Sequence, residues 1–210
     1  MRKKAICCII AVISLMAVCI NTASAAIIEY DMSYWNSDVD NIGKWINKSI
    51  PVYVGTNSNY SSLSATNLKS YLSTALSSWS CAGLSVSYVS QQSSAKLSYG
   101  GITRAQATSQ GISSEVVGVT FLNATTQLAK LYYGAAQKRL YRIDSASIYL
   151  IESLETGTTT AARKVAVHEF GHAFGYFGHY SSGAVMTARY ANMTSTTPNT
   201  AEKNHLKQVY

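Results

Sequence analysis

The chain has 210 residues, of which 47% are hydrophobic, 13% are charged and only two are proline. That length suits one domain of roughly 100–200 residues, and the balance excludes a disordered or collagen-like chain. The formal net charge is +7, yet beyond residue 4 no run of Lys/Arg exceeds two, which excludes the clustered basic stripe of a nucleic-acid-binding surface.

Arg2, Lys3 and Lys4 lead into an apolar run, Ala5 to Ile20, broken only by Ser14 and followed by Ala23-Ser24-Ala25. This order predicts a secretory signal peptide over residues 1–25, cleaved after Ala25, and a secreted, extracellular chain. The run of 16 residues falls short of the ~20 needed to span a bilayer. Cleavage removes three of the 17 basic residues and none of the 10 acidic ones, leaving 185 residues at a net charge of +4. Cys7, Cys8 and Cys19 leave with the signal, so Cys81 stands alone and no intramolecular disulfide can form. Cys81 reads as a buried, inert thiol in preference to a reactive one.

Residues 26–49 read as an irregular arm anchored by Tyr34 and Trp35. Ile50 to Val54 reads as a strand opened by Pro51, where a missing N–H is tolerated. Leu68, Tyr71, Leu72, Ala75, Leu76 and Trp79 recur at three- and four-residue spacing, which predicts a helix over 64–80 capped by Ser62 or Ser64. Leu84, Val86 and Tyr88 alternate with serines as a half-buried strand does. A short strand is expected over 96–99, ended by Gly100-Gly101. Further strands are expected over 116–122 and 146–151; residues 123–143 fit either a strand or a hairpin with a loop. Thr158-Thr159-Thr160 supplies N-cap candidates for a helix whose apolar face is Ala162, Val165, Ala166, Phe170, Ala173 and Phe174, with Gly175 to end it. Thr200 can cap a last helix carrying Leu206, Val209 and Tyr210. The pattern is that of an α/β or α+β layered domain built on one sheet.

The chemistry concentrates in 168–179. His168 and His172 are four apart, so on a helix they lie about 40° apart in azimuth and ~6 Å apart in rise. Two imidazoles so placed can hold one Zn²⁺. Glu169 leans toward the same face and suits a general base. His179, reached after the chain turns at Gly175, supplies a third ligand and leaves a fourth position open. Three of the chain's four histidines fall within these twelve residues. The fourth, His205, reads as a surface residue.

The stretch H-E-F-G-H-A-F-G at 168–175, His179, and Ala184-Val185-Met186 resemble the metzincin zinc endopeptidases, most closely the matrixin branch, whose pattern is H-E-x-x-H-x-x-G-x-x-H followed by a Met-turn. The resemblance implies His168, His172 and His179 as zinc ligands, Glu169 as the catalytic general base and Met186 as the structural methionine beneath the metal. It implies a metzincin-like catalytic domain over 50–210, of α/β (α+β) class, with a twisted, mostly parallel sheet of about five strands, an active-site helix and a C-terminal helix. Substrate would lie extended along an edge strand, for which 116–122 is the best candidate. This chain departs from the pattern at one point: the third His follows the second by seven residues instead of six, so Tyr176 or Phe177 is extra. Glu202 is the substitute ligand should His179 not reach. Tyr190, four after Met186, does not match the spacing of the tyrosine some branches use and is left out of the site.

The expected activity is a secreted, monomeric zinc endopeptidase acting on protein or peptide substrates, with one catalytic zinc and no membrane partner after signal cleavage. The resemblance also allows calcium (Ca²⁺), but no dense Asp/Asn loop marks a site. Two other readings are a secreted, non-catalytic zinc-binding interaction protein and a zinc amidase acting on cell-wall peptides. A structural zinc site is usually closed by four protein ligands; three clustered histidines beside an intact Glu169 favour the enzyme.

Overall fold

The computed structural model describes residues 28–32, 41–181 and 183–210. The expected signal peptide and the anchors Tyr34 and Trp35 lie outside the described residues. In chain order the elements are β1 (Ile28–Asp31), β2 (Asn41–Lys44), β3 (Ser49–Thr56), α1 (Ala65–Ser78), β4 (Ser85–Tyr88), β5 (Leu97–Ile102), α2 (Arg104–Ser109), β6 (Gly118–Asn123), β7 (Thr126–Tyr133), β8 (Ala136–Arg142), β9 (Ser145–Ile151), α3 (Thr159–Ala173) and α4 (Thr200–Lys207).

The expected mixed sheet is present, with five strands in the order β4-β3-β5-β9-β6. Its first four strands are parallel, and β6 runs antiparallel to β9 along one edge. Ile50, Val52, Leu97, Tyr99, Ile148 and Leu150 point to one face of this sheet and pack against α1 and α3. Parallel neighbours need a crossover, and α1 supplies it between β3 and β4, whereas α3 follows β9, the last strand, and packs on the same face.

A second sheet was not expected. Its order is β1-β7-β8-β2, in which the β7–β8 hairpin is flanked by parallel strands from the N-terminal stretch. The arm over 26–49 is therefore not wholly irregular. β1 and β2 have four residues each and carry too little alternation to be read alone; they exist because the hairpin offers them an edge. Met32, Ile42, Ala129, Leu131, Leu140 and Val209 form the small core of this sheet.

Other boundaries also shifted. β5 runs through Gly100-Gly101 instead of stopping before them. A Cβ at Gly101 would lie 2.9 Å from the side chains of Leu63 and Thr56, so glycine here marks a close approach, not an end. Ser64 caps α1 by accepting from Asn67 N–H, while the Ser62 hydroxyl is buried and donates to Thr156 O at 2.6 Å. α2 was missed; Thr103 and Gln106 form its capping box. Asn199, not Thr200, caps α4, again through a capping box with Glu202, and the helix ends at Lys207, before the expected Val209 and Tyr210. His205 is not a surface residue: it is fully buried, with its ring 4.5 Å from that of Tyr176. Cys81, in the turn after α1, is half-buried, short of the full burial expected, and burial raises its thiol pKa. No helix among the described residues is long and apolar enough to cross a membrane.

Candidate metal and catalytic site

α3 starts where the Thr158 hydroxyl accepts from Ala161 N–H at 3.2 Å. It buries Ala162, Val165, Ala166, Phe170 and Ala173 against the sheet, with Phe170 edge-on to Tyr99 at 4.8 Å. At its end, Gly175 N–H donates to His172 O at 2.9 Å and Tyr176 N–H to Gly171 O at 2.9 Å. This is the paired bonding of a Schellman motif, and it requires the positive φ of +116° that Gly175 adopts. The remaining carbonyls also find donors: the Trp45 indole on Ala173 O at 2.8 Å and the Tyr210 hydroxyl on Phe174 O at 2.6 Å. The end of the helix is thereby fixed, and so is the takeoff of the loop that returns His179.

The one-residue excess is absorbed in that loop. Tyr176 turns inward between Trp79 and His205, at ring separations of 6.2 and 4.5 Å. Phe177 lies over Gly43, where a Cβ would stand 2.6 Å from the ring. Gly178 supplies a second positive φ, +92°. His179 then lies beside the other two: its ring is 5.3 Å from that of His168 and 5.0 Å from that of His172.

One nitrogen from each of His168, His172 and His179 falls within 4.8 Å of the others, so the three can hold a metal ion. His168 Nδ1 lies 2.8 Å from Val185 O, and His172 Nδ1 lies 2.7 Å from Tyr176 O. A carbonyl oxygen can only accept, so both Nδ1 atoms carry the proton and both Nε2 atoms carry a lone pair. Burial is the main cause that lowers both pKa values, well below normal for His168 and to about 4 for His172. Among the described residues, no fourth side chain joins the cluster.

Glu169 is also buried, and burial pushes its pKa up to about 7 against the opposing hydrogen bond from Thr120. The Thr120 hydroxyl is 2.7 Å from Glu169 Oε2. Met186 is fully buried under α3; at Gly171, between the two helical histidines, a Cβ would collide with the Met186 sulfur. Glu202 does not reach the cluster. It is fully buried and accepts instead from Val185 N–H at 3.0 Å and Met186 N–H at 2.6 Å. The Asn199-x-x-Glu202 capping pattern could have flagged it as an anchored side chain. Thr120 had no signal in the sequence, since its partner is 49 residues away.

The cluster opens into a cleft of about 910 Å³, lined among others by Val116, Val119, Leu122, Phe177, Tyr190 and Met193. β6, the expected substrate strand, forms one wall of the cleft and is an edge strand of its sheet. A family model described as matrixin, a peptidase family, matches residues 44–210.

The chain belongs to the matrixin family.

No curated protein matches it. As a matrixin it is a zinc metallopeptidase, a hydrolase whose substrates are proteins or peptides. The donor set fits that metal. The Nε2 atoms of His168 and His172 stand 3.1 Å apart with no proton between them, which is unfavourable unless a cation is shared. Tetrahedral zinc, bound at ~2.0–2.1 Å, separates a ligand pair by about 3.3 Å. The matrixin match begins at Lys44, in β2, whose Gly43 N–H donates to Gly175 O at 2.9 Å and so abuts the loop that carries His179.

Proposed function

We propose that this matrixin is a secreted endopeptidase in which His168, His172 and His179 hold one catalytic zinc and Glu169 is the general base. The observation that carries the proposal is the meeting of three imidazoles and a buried carboxylate at one point of an open cleft beside an edge strand. When bound, zinc supplies a Lewis acid that polarises a carbonyl and makes a water acidic.

The protein's own part follows from its geometry. β6 exposes backbone N–H and C=O groups along the cleft, onto which an extended peptide pairs as an added strand. Glu169 takes a proton from the attacking water as the water's oxygen bonds to the scissile carbon. It returns that proton to the amide nitrogen as the C–N bond breaks, which releases an amine and a carboxylic acid. A buried carboxylate within the cleft can serve both halves of this exchange, as proton acceptor and then as donor. The carbonyls of Val185 and Tyr176 keep His168 and His172 in the tautomer that presents Nε2. Met186 supports the helix under them.

Secretion is part of the proposal and is supported by the charged-apolar-small order of residues 1–25. A structural, non-catalytic zinc is disfavoured because three donors leave the site open to the cleft. The test is hydrolysis of an unstructured protein such as casein, with and without a chelator. Loss of cleavage on chelation, restored by added zinc while circular dichroism stays folded, supports the enzyme. Absence of cleavage by zinc-loaded protein contradicts it.

A further inference from the structure

Glu169 sits on α3 between two histidines, so its backbone position follows from the helix alone. Its carboxylate does not: a glutamate side chain has several rotamers, and a base must be held within hydrogen-bond reach of one proton. β6 supplies the hold. Gly118 and Thr120 are two apart on a strand and therefore face the same side. Both face α3. The Thr120 hydroxyl lies 2.7 Å from Glu169 Oε2 and 3.0 Å from the Glu169 carbonyl. A hydroxyl has one proton to give, and the carboxylate is the shorter and stronger acceptor. On the other side, a Cβ at Gly118 would stand 2.8 Å from Glu169 Oε1 and 2.5 Å from Val165 Cγ1. Glycine at 118 leaves the room that Oε1 occupies.

We infer that Thr120 is the positioning residue for Glu169: its hydroxyl engages Oε2, Gly118 makes space for Oε1, and Oε1 is the oxygen that takes the proton from water. The inference rests on the proposed role of Glu169. It also makes β6 bifunctional, because the same strand that offers its edge to substrate fixes the base that acts on it. Substrate bound to β6 and the base held by β6 are in register by construction, since both are referred to one backbone.

The test compares Thr120→Val, which keeps shape and loses the hydroxyl, with Thr120→Ser, which keeps the hydroxyl. In zinc-loaded protein, Thr120→Val is expected to lower kcat about tenfold with KM within about twofold of the parent, because a misplaced base spares substrate binding. Thr120→Ser is expected to restore kcat to within about threefold. Gly118→Ala, whose methyl intrudes on Oε1, is expected to lower kcat while zinc content stays unchanged. Unchanged kcat in Thr120→Val, or an equal loss in the Val and Ser variants, overturns the inference. A second readout needs no activity: a double-mutant cycle in urea unfolding between Thr120→Val and Glu169→Ala, each of which removes one partner of the hydrogen bond. Non-additive midpoints support the Thr120–Glu169 contact, and additive ones contradict it. If the parent cleaves no peptide, the protease reading fails, and the cycle still decides whether Thr120 holds the carboxylate.

Discussion

The Glu202 carboxylate accepts the backbone N–H of Met186 at 2.6 Å. Through the same oxygen it accepts from Val185 N–H at 3.0 Å, and through the other from Asn199 N–H at 2.7 Å. The carbonyl of Val185 in turn fixes the ring of His168. One buried side chain on α4 thus ties the C-terminal helix to the Val185–Met186 backbone and, by one more bond, to the ring of His168. Gly183 permits the approach, since a Cβ there would stand 2.5 Å from Glu202 Oε1.

Replacing Glu202 with Ala therefore leaves three backbone N–H groups without their acceptor. The expected cost is about 3 kcal/mol of folding stability, at roughly 1–3 kcal/mol for each buried donor left unpaired, partly recovered by water. Zinc affinity should fall by about tenfold, as when an outer partner of a metal ligand is lost. Urea unfolding and a zinc competition titration check both. A variant as stable as the parent, with the same zinc affinity, would show that the tie carries no energy.

Glu169→Gln should retain one zinc per chain and lose at least about a hundredfold in kcat, since general-base catalysis contributes roughly 10²–10⁴. Metal analysis and peptide hydrolysis on one preparation test this. A fall in zinc content would instead place Glu169 among the ligands.

Gly171→Ala would stabilise an exposed helix by about 1 kcal/mol. Here the added Cβ meets the Met186 sulfur and stands 2.8 Å from the Trp79 ring. Overpacking at about 1–3 kcal/mol outweighs the propensity gain, so the variant should be less stable than the parent. Adding Met186→Ala opens the space, and in that background Gly171→Ala should become less harmful. Thermal unfolding of the four proteins gives the sign.

His205 carries a pH dependence distinct from that of the metal site. Burial lowers its pKa from 6.5 to about 3. The unfolded chain therefore binds a proton at His205 that the folded chain refuses, and stability is lost as pH falls from about 6.5 toward 3. Above 6.5 the contribution is constant. His205→Phe should flatten the slope of stability between pH 6.5 and 4.5 while keeping a ring against Tyr176. Equal slopes for variant and parent would contradict the burial of a neutral imidazole.

What could be read from sequence was local. The α3 helix, its Thr158 cap and the His168–Glu169–His172 spacing depend on residues within four positions of each other. The strand at 146–151 and the apolar face of α1 depend on short periodicities. What escaped depends on distant partners. His205 lies among Lys203, Asn204 and Lys207, with Leu206 as its one apolar neighbour, and its burial shows only once Tyr176, in the loop that carries the extra residue, turns inward against it. The glycines at 100 and 101 read as an end because Leu63 and Thr56, which crowd Gly101, are about 40 residues away. The second sheet needed a hairpin edge before β1 and β2 could form. The Thr120–Glu169 contact joins β6 to α3, and only the folded chain brings them together.

The central claim is a zinc site of three histidines that survives a one-residue insertion before His179. Zinc stoichiometry and affinity of the parent and of His179→Ala, measured side by side with circular dichroism, test it most directly. The account predicts one tightly held zinc per parent chain, and a folded His179→Ala protein whose affinity falls by at least about a hundredfold, in line with losing one of three protein ligands. A folded His179→Ala variant that binds one zinc as tightly as the parent would contradict it.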